Sequence, residues 1–263
     1  MGTTTDVKSN AALRVKEFLE FFKERDDEHI DRTVAEVLEH IYGVDNRQEL
    51  TQLVSDLWQL PKQLRQQLEL VNGLDTTPFL DVISKLEFAM TYLGLGEDSS
   101  HFARHIVGLA DSFGMMSATL NMANPEVALS EPTRKKLVSD LEEILASIAA
   151  ADDIDDGFKA FASQKISLLI YALQRYDVLG SEAVVEETER LLGSLVRRLP
   201  DIKQSNQKMD IARKLYHAAT AVMLALNLVN SSFQLEAHTV ELLEQKPTQS
   251  QVQPVKQLAN QKK

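Results

Sequence analysis

The sequence contains no cysteine. That absence excludes disulfides, thiol nucleophiles and cysteine-ligated zinc together, and it accords with a reducing cytosol. Aromatic residues make up only 6% of the chain, with a single tryptophan, and seven prolines and ten glycines are spread over 263 residues. A β-rich protein needs many tight turns, so this scarcity points toward helices. Basic charge is short as well: 28 Lys and Arg stand against 39 Asp and Glu, a formal net charge of −11. Such a chain repels a phosphate backbone unless its bases are concentrated locally. The densest basic spots, Arg134-Lys135-Lys136 and Arg197-Arg198, each cover one helical turn and read as solvated faces, so no nucleic-acid partner is expected. The first residues, "MGTTTDVKSN", carry neither the basic nor the apolar region of a secretory signal. Asp6 stands where a myristoylation site requires Ser or Thr.

What the chain does have is helical periodicity nearly everywhere, with 44% hydrophobic residues to build a core. Residues 11–26 space Leu13, Phe18, Leu19 and Phe22 along one stripe, and residues 27–42 do so with Ile30, Val34, Val37, Leu38 and Ile41 before Gly43 stops the helix. Asp45 and Gln48 predict a capping box. Pro61 restarts a short helix that closes at Asn72-Gly73, and Thr77 is expected to cap another with Pro78 in its first turn. Residues 99–122 read as one helix in which Gly108 and Gly114 permit close approach of a neighbour, and Met115, Met116 and Met122 read as core filler. The proline-bearing "NMANPEVALSEPT" is the clearest internal boundary. Four helices are expected beyond it: 133–150, 158–178 ending at Gly180, 182–198 capped by Ser181 and ended by Pro200, and a last long one over 203–245.

The fold expected is therefore all-α, a multi-helix bundle of about nine or ten helices with a long C-terminal helix. Its organisation reads as a disordered leader (1–10), an N-terminal helical region (11–124), a C-terminal bundle (130–245) and a disordered, proline-broken tail (246–263).

One stretch, "LYHAATAVMLALNLVNSSFQL" at residues 215–235, has no formally charged side chain in twenty-one positions. A membrane span needs about 20 predominantly apolar residues. Its eight Leu, Val and Phe residues would gain roughly 3 to 4 kcal/mol on insertion, which His217, Asn227, Asn230 and Gln234 would cancel at about 1 kcal/mol or more each. The polar residues His217, Thr220, Asn227 and Asn230 follow one line, opposite Leu215, Ala219, Val222, Leu226 and Val229. That is the pattern of a helix at the centre of a bundle, its thin polar seam fixing register or interaction. The lysines and arginines before the stretch and the glutamates after it suit a span as the alternative.

Candidate chemistry is sparse. His101 and His105 sit at i and i+4 and can chelate a metal with Glu97, Asp98 or Asp111, but the Glu of a zinc-protease helix is missing. Asp26-x-x-His29 and Glu36-Val-Leu-Glu39-His40 lack the form of a di-iron site. "GMMSATL" lacks the second glycine of a nucleophile elbow. No catalytic residue and no cofactor is expected.

Residues 137–195 combine a leucine-rich helix, an acidic break, a helix ending in Ala172-Leu173-x-x-Tyr176-x-x-x-Gly180, and a further helix. This pattern resembles a helical module of many uncharacterised bacterial proteins, often followed by an apolar helical segment as here. The resemblance implies a bacterial or phage source and a defence or stress setting, and it brings no catalytic residues. By their own chemistry, Tyr176 and Gly180 read as a helix-end packing contact and a C-cap. The function expected is that of a non-enzymatic cytoplasmic interaction or regulatory protein, with a protein partner or a second copy of itself. A membrane-associated effector acting through 215–235 is the alternative, and a metal-dependent bundle enzyme built on His101 and His105 the third.

Overall fold

In the computed structural model, residues 10–27, 32–71, 73, 75–123, 126–152, 154–203 and 205–226 are described. Among them eleven helices form, no strand does, and one isolated antiparallel bridge joins Thr33 to Asp98. The fold is an all-α multi-helix bundle.

The first seven helices are α1 (Ala11–Asp27), α2 (Val34–Tyr42), α3 (Arg47–Leu57), α4 (Leu60–Glu69), α5 (Thr77–Met90), α6 (Ser99–Ile106) and α7 (Leu109–Ala123). They gather around α1, which packs along α7 and also meets α2, α4 and α6. Its inward stripe of Ala11, Ala12, Val15, Phe18, Leu19 and Phe22 is buried. The two alanines bring neighbouring helices close, and Phe18, Phe22 and Phe102 fill the space beyond with ring centroids 4.7–5.9 Å apart.

The other four are α8 (Glu131–Ala149), α9 (Asp156–Gln174), α10 (Tyr176–Ile202) and α11 (Asn206–Ala225). They form a four-helix arrangement in which α8 packs on α9 and α11, and α10 on the same two. Phe158, Ala162, Ile166, Leu169 and Leu173 of α9 face Leu191, Leu195, Leu215 and Val222 across its core. At one end Lys208 bridges Asp155 at 2.6 Å and Asp201 at 2.7 Å, tying the start of α9 to the end of α10 and the start of α11.

Several boundaries differ from the sequence reading, each for a local reason. The cap of α2 is Thr33, whose hydroxyl accepts from Glu36 N at 3.3 Å while the Glu36 carboxylate accepts from Thr33 N at 2.8 Å. For α3 the cap is Asn46, paired with Glu49, rather than Asp45 with Gln48. Thr76 rather than Thr77 precedes α5. The helix expected over 99–122 is two helices: Val107 turns extended (ψ 123) and Gly108 has φ 76, so Gly108 breaks the chain instead of admitting a neighbour. Gly114 does meet one, since a Cβ there would touch the Lys16 side chain at 3.5 Å. Met116 is buried, but Met115 and Met122 are exposed, so two of the three methionines are not core filler. The helix expected to run to Val178 stops at Gln174, and a short helical segment from Tyr176 meets the rest of α10 at Gly180, whose non-helical backbone (φ 77, ψ −172) keeps the expected break there. Pro200 does not end α10, which continues to Ile202. The last helix starts at Asn206 behind the Ser205 cap. The rest of 203–245 from residue 227 on, the leader up to residue 9 and the tail lie outside the described residues.

The buried apolar side chains fall into two clusters, one drawn from residues 11–120 and one from residues 129–226. Among the described residues, only Val178 comes from the second half of the chain into the first cluster.

Within α11, Leu215, Ala219, Val222 and Leu226 are fully buried while Leu224 is 53% exposed. Leu226→Asp is therefore expected to cost at least about 3 kcal/mol, from a lost core side chain and a buried charge. Leu224→Asp should stay within about 0.5 kcal/mol of the parent. Circular dichroism melting of the two variants checks this, and equal melting would contradict the assigned face of α11.

Candidate functional site at the junction of the two bundles

α1 is a helix of apolar and small inward residues, yet its second turn points Arg14 into the interior. The guanidinium is 4% exposed. It pairs with Glu126, and its Nη2 donates to Gln63 Oε1 at 3.0 Å. Nε has no hydrogen-bond partner among the described residues. Gln67 completes the group by donating to Glu126 Oε1 at 3.3 Å and accepting from Ala11 N at 3.1 Å.

The guanidinium lies against Gly180. A Cβ at that position would fall 2.5 Å from Arg14 Cζ, and Gly180 has φ 77. The positive φ favours glycine, because a side chain there costs about 1–2 kcal/mol, and an added Cβ would also displace the guanidinium. Between the kink and the end of α9, Tyr176 reaches the segment joining the two bundles. Its hydroxyl donates to Val127 O at 2.6 Å and accepts from Leu129 N at 3.3 Å. Arg134 stands over the Tyr176 ring at 5.6 Å and pairs with Asp177 at 2.9 Å. The connecting segment is thus held from one side by Arg14 and from the other by Tyr176.

Further polar contacts cross the junction nearby. Asp56 of α3 is buried, and its carboxylate accepts from Gln52 at 3.0 Å and from the Tyr171 hydroxyl of α9. Desolvation, with the hydrogen bond to Asp56 second, pushes the Tyr171 phenol above its ordinary range. Arg175 approaches Glu49 at 3.8 Å, and Gln63 Nε2 donates to Leu179 O at 3.4 Å. Burial similarly raises the Tyr42 phenol, with Asp177 contributing. On the rim, Glu17 is held above the usual carboxylate value by partial desolvation and then by the Asp177 carboxylate, against a smaller opposite effect of Lys16.

The residues singled out from sequence are dispersed. His105 stacks on Tyr92 with centroids 4.5 Å apart and an interplanar angle of 16°, and meets the edge of Phe88 at 5.1 Å. His101 contacts Tyr92 more loosely, at 6.4 Å. Among the described residues, no group of three or more His, Asp or Glu side chains is placed to hold a metal. His217 is exposed and touches the Tyr216 ring at 6.0 Å, while Thr220 donates to Tyr216 O at 2.9 Å. The described half of the polar seam therefore lies at the margin of α11 rather than toward the core, and Asn227 and Asn230 are outside the described residues. Tyr176, read as a packing contact, and Gly180, read as a helix end, also lie at the junction. Arg14 was overlooked because a single arginine in an otherwise amphipathic helix carries no local signal.

Among the described residues, no helix is long and apolar enough to cross a membrane. The chain matches no family model, no curated protein and no solved structure.

Tyr171→Phe leaves one oxygen of a buried carboxylate without its donor, so a loss of about 1–3 kcal/mol is expected in denaturant unfolding. Glu17→Gln tests the rim. A carboxylate whose folded pKa lies above its unfolded value binds protons more readily when folded, so it costs stability above that folded pKa and stops doing so as pH falls below the ordinary value of 4.5. Glu17→Gln should therefore melt above the parent at pH 7, with the gap closing by about pH 4. A gap independent of pH would show that Glu17 is not held above its ordinary value.

Proposed function

We propose that the chain is a non-enzymatic, cytoplasmic helical protein that acts through contact with a protein partner or a second copy of itself. The observation that carries this reading is an exposed aromatic cluster on α5 and α6. Phe88 is 55% exposed although its ring meets Tyr92 at 5.7 Å and His105 at 5.1 Å. A phenylalanine held in a fixed orientation by two rings, with half its surface in water, has already lost the rotamer freedom that binding would cost it. Aromatic side chains of this kind are the usual anchors of protein interfaces. Met115 and Met122, 67% and 82% exposed on α7, add adaptable apolar surface to the same bundle.

The alternative of a membrane-acting segment at 215–235 has less support. Its described half buries Leu215, Ala219, Val222 and Leu226 inside the C-terminal bundle and leaves His217 in solvent. A metal-dependent enzyme at His101 and His105 also has less, because those rings are engaged with Tyr92 and Phe88. The bacterial or phage setting rests on the resemblance of residues 137–195.

Phe88→Asp tests the reading. Stability should change by about 0.5 kcal/mol or less, since the side chain is largely exposed. Self-association in sedimentation velocity, or co-purification of a protein from the native host, should fall at least about tenfold, the effect of losing an interface anchor worth 1.4 kcal/mol or more. Unchanged association in a folded variant would remove this face from consideration.

A further inference from the structure

We infer that the Arg14–Glu126 pair, packed against Gly180, is a conformational latch that sets the orientation of the two bundles relative to each other. Three independent features of the junction lead there. Among the described residues the apolar clusters are separate, and of the second half only Val178 is seated in the first, so parting the bundles would expose little shared core. What crosses instead is polar: Tyr171 to Asp56, Arg175 to Glu49 and Gln63 to Leu179 O. Interfaces of that composition within one chain are the ones across which domains move.

The second feature is the covalent connection. One segment of chain links α7 to α8, and its residues Glu126 to Leu129 are gripped from both sides. Glu126 is held by Arg14 of the first bundle, and Val127 and Leu129 by Tyr176 of the second. While Arg14 keeps its place, that segment cannot swing. The third is the fit of the guanidinium over Gly180, where an added Cβ would have to displace it. Arg14 is buried with its Nε unpartnered among the described residues, so hydration on opening would offset part of what the ion pair contributes when closed.

The latch also adjoins a cleft of about 640 Å³ between α4 and α10, walled by Gln59, Lys62 and Gln63 on one side and by Glu182, Glu186 and Glu189 on the other. Gln63 belongs to both, as a wall of the cleft and as the acceptor of Arg14 Nη2. Opening the latch changes the width of that cleft and the relative direction of every surface the two bundles carry.

The absence of native cysteine makes the test direct. Lys85→Cys on α5 and Glu143→Cys on α8, both exposed, would carry spin labels in the full chain. Pulsed dipolar spectroscopy then reads the inter-bundle distance. The parent should give one narrow distribution, and Arg14→Ala and Gly180→Ala a broadened or second one, with far-ultraviolet circular dichroism unchanged. Glu126→Gln keeps the shape of the site while removing the counter-charge, and it decides the matter if either of the other variants fails to fold. Folded Glu126→Gln with the parent's narrow distribution overturns the latch, and so does a parent distribution that is already broad.

Discussion

A buried guanidinium has three requirements: a counter-charge, hydrogen-bond acceptors and room. Glu126 supplies the first, Gln63 and Glu126 the second, and the missing side chain of Gly180 the third. Removing one member of a buried ion pair leaves the other desolvated and uncompensated, at a cost of about 3–5 kcal/mol. Much of the junction follows from satisfying Arg14. α10 kinks at residue 180 to present glycine, and Glu126 draws the connecting segment under α1 and α4. There Tyr176 can bond that segment's backbone from the opposite side. An apolar residue at position 14 would need none of these accommodations, so the arrangement is specific to the charge.

The division of labour in the fold has the same origin. Each half of the chain is long enough to bury a core of its own, and the core side chains belong to two clusters. The stability of each bundle comes from apolar burial and helix packing. Between them, among the described residues, run the directional polar contacts of Tyr171, Arg175 and Gln63, with Val178 seated in the first core. Directional contacts hold a unique geometry strongly only while every member is satisfied, and among the described residues of the junction the Nε atoms of Arg14 and Arg134 have no partner.

The helices and their inward faces were legible in the sequence because periodicity reports which side of a helix is apolar, and most of the buried stripe in α1, α5 and α11 follows it. Boundaries were less legible. Thr33 and Glu36 carry the capping-box spacing, but an apolar repeat beginning at Ile30 obscured it. The split at Val107-Gly108 was hidden by a stripe that continues through it, since a positive φ at one glycine redirects the chain without altering the pattern on either side. The junction was hardest to see. Tyr176 and Gly180 stand out as a helix-end signature, while the residues they serve, Arg14, Gln63 and Glu126, are far away along the chain. Nothing local marks an arginine whose partner lies 112 residues on.

Exposure at Phe88, Met115 and Met122 was equally invisible, and for a related reason. Periodicity distinguishes an apolar stripe from a polar face, but it counts every apolar residue as core. Phe88 falls two positions after Leu86 and two before Met90, off the stripe that runs through Ile83, Leu86 and Met90 into the interior. On the outward side of α5 it meets Tyr92 and His105, which fix its ring without covering it. The same three-ring contact gives His105 a packing role of its own: it lies flat on Tyr92, and its ring meets the edge of Phe88.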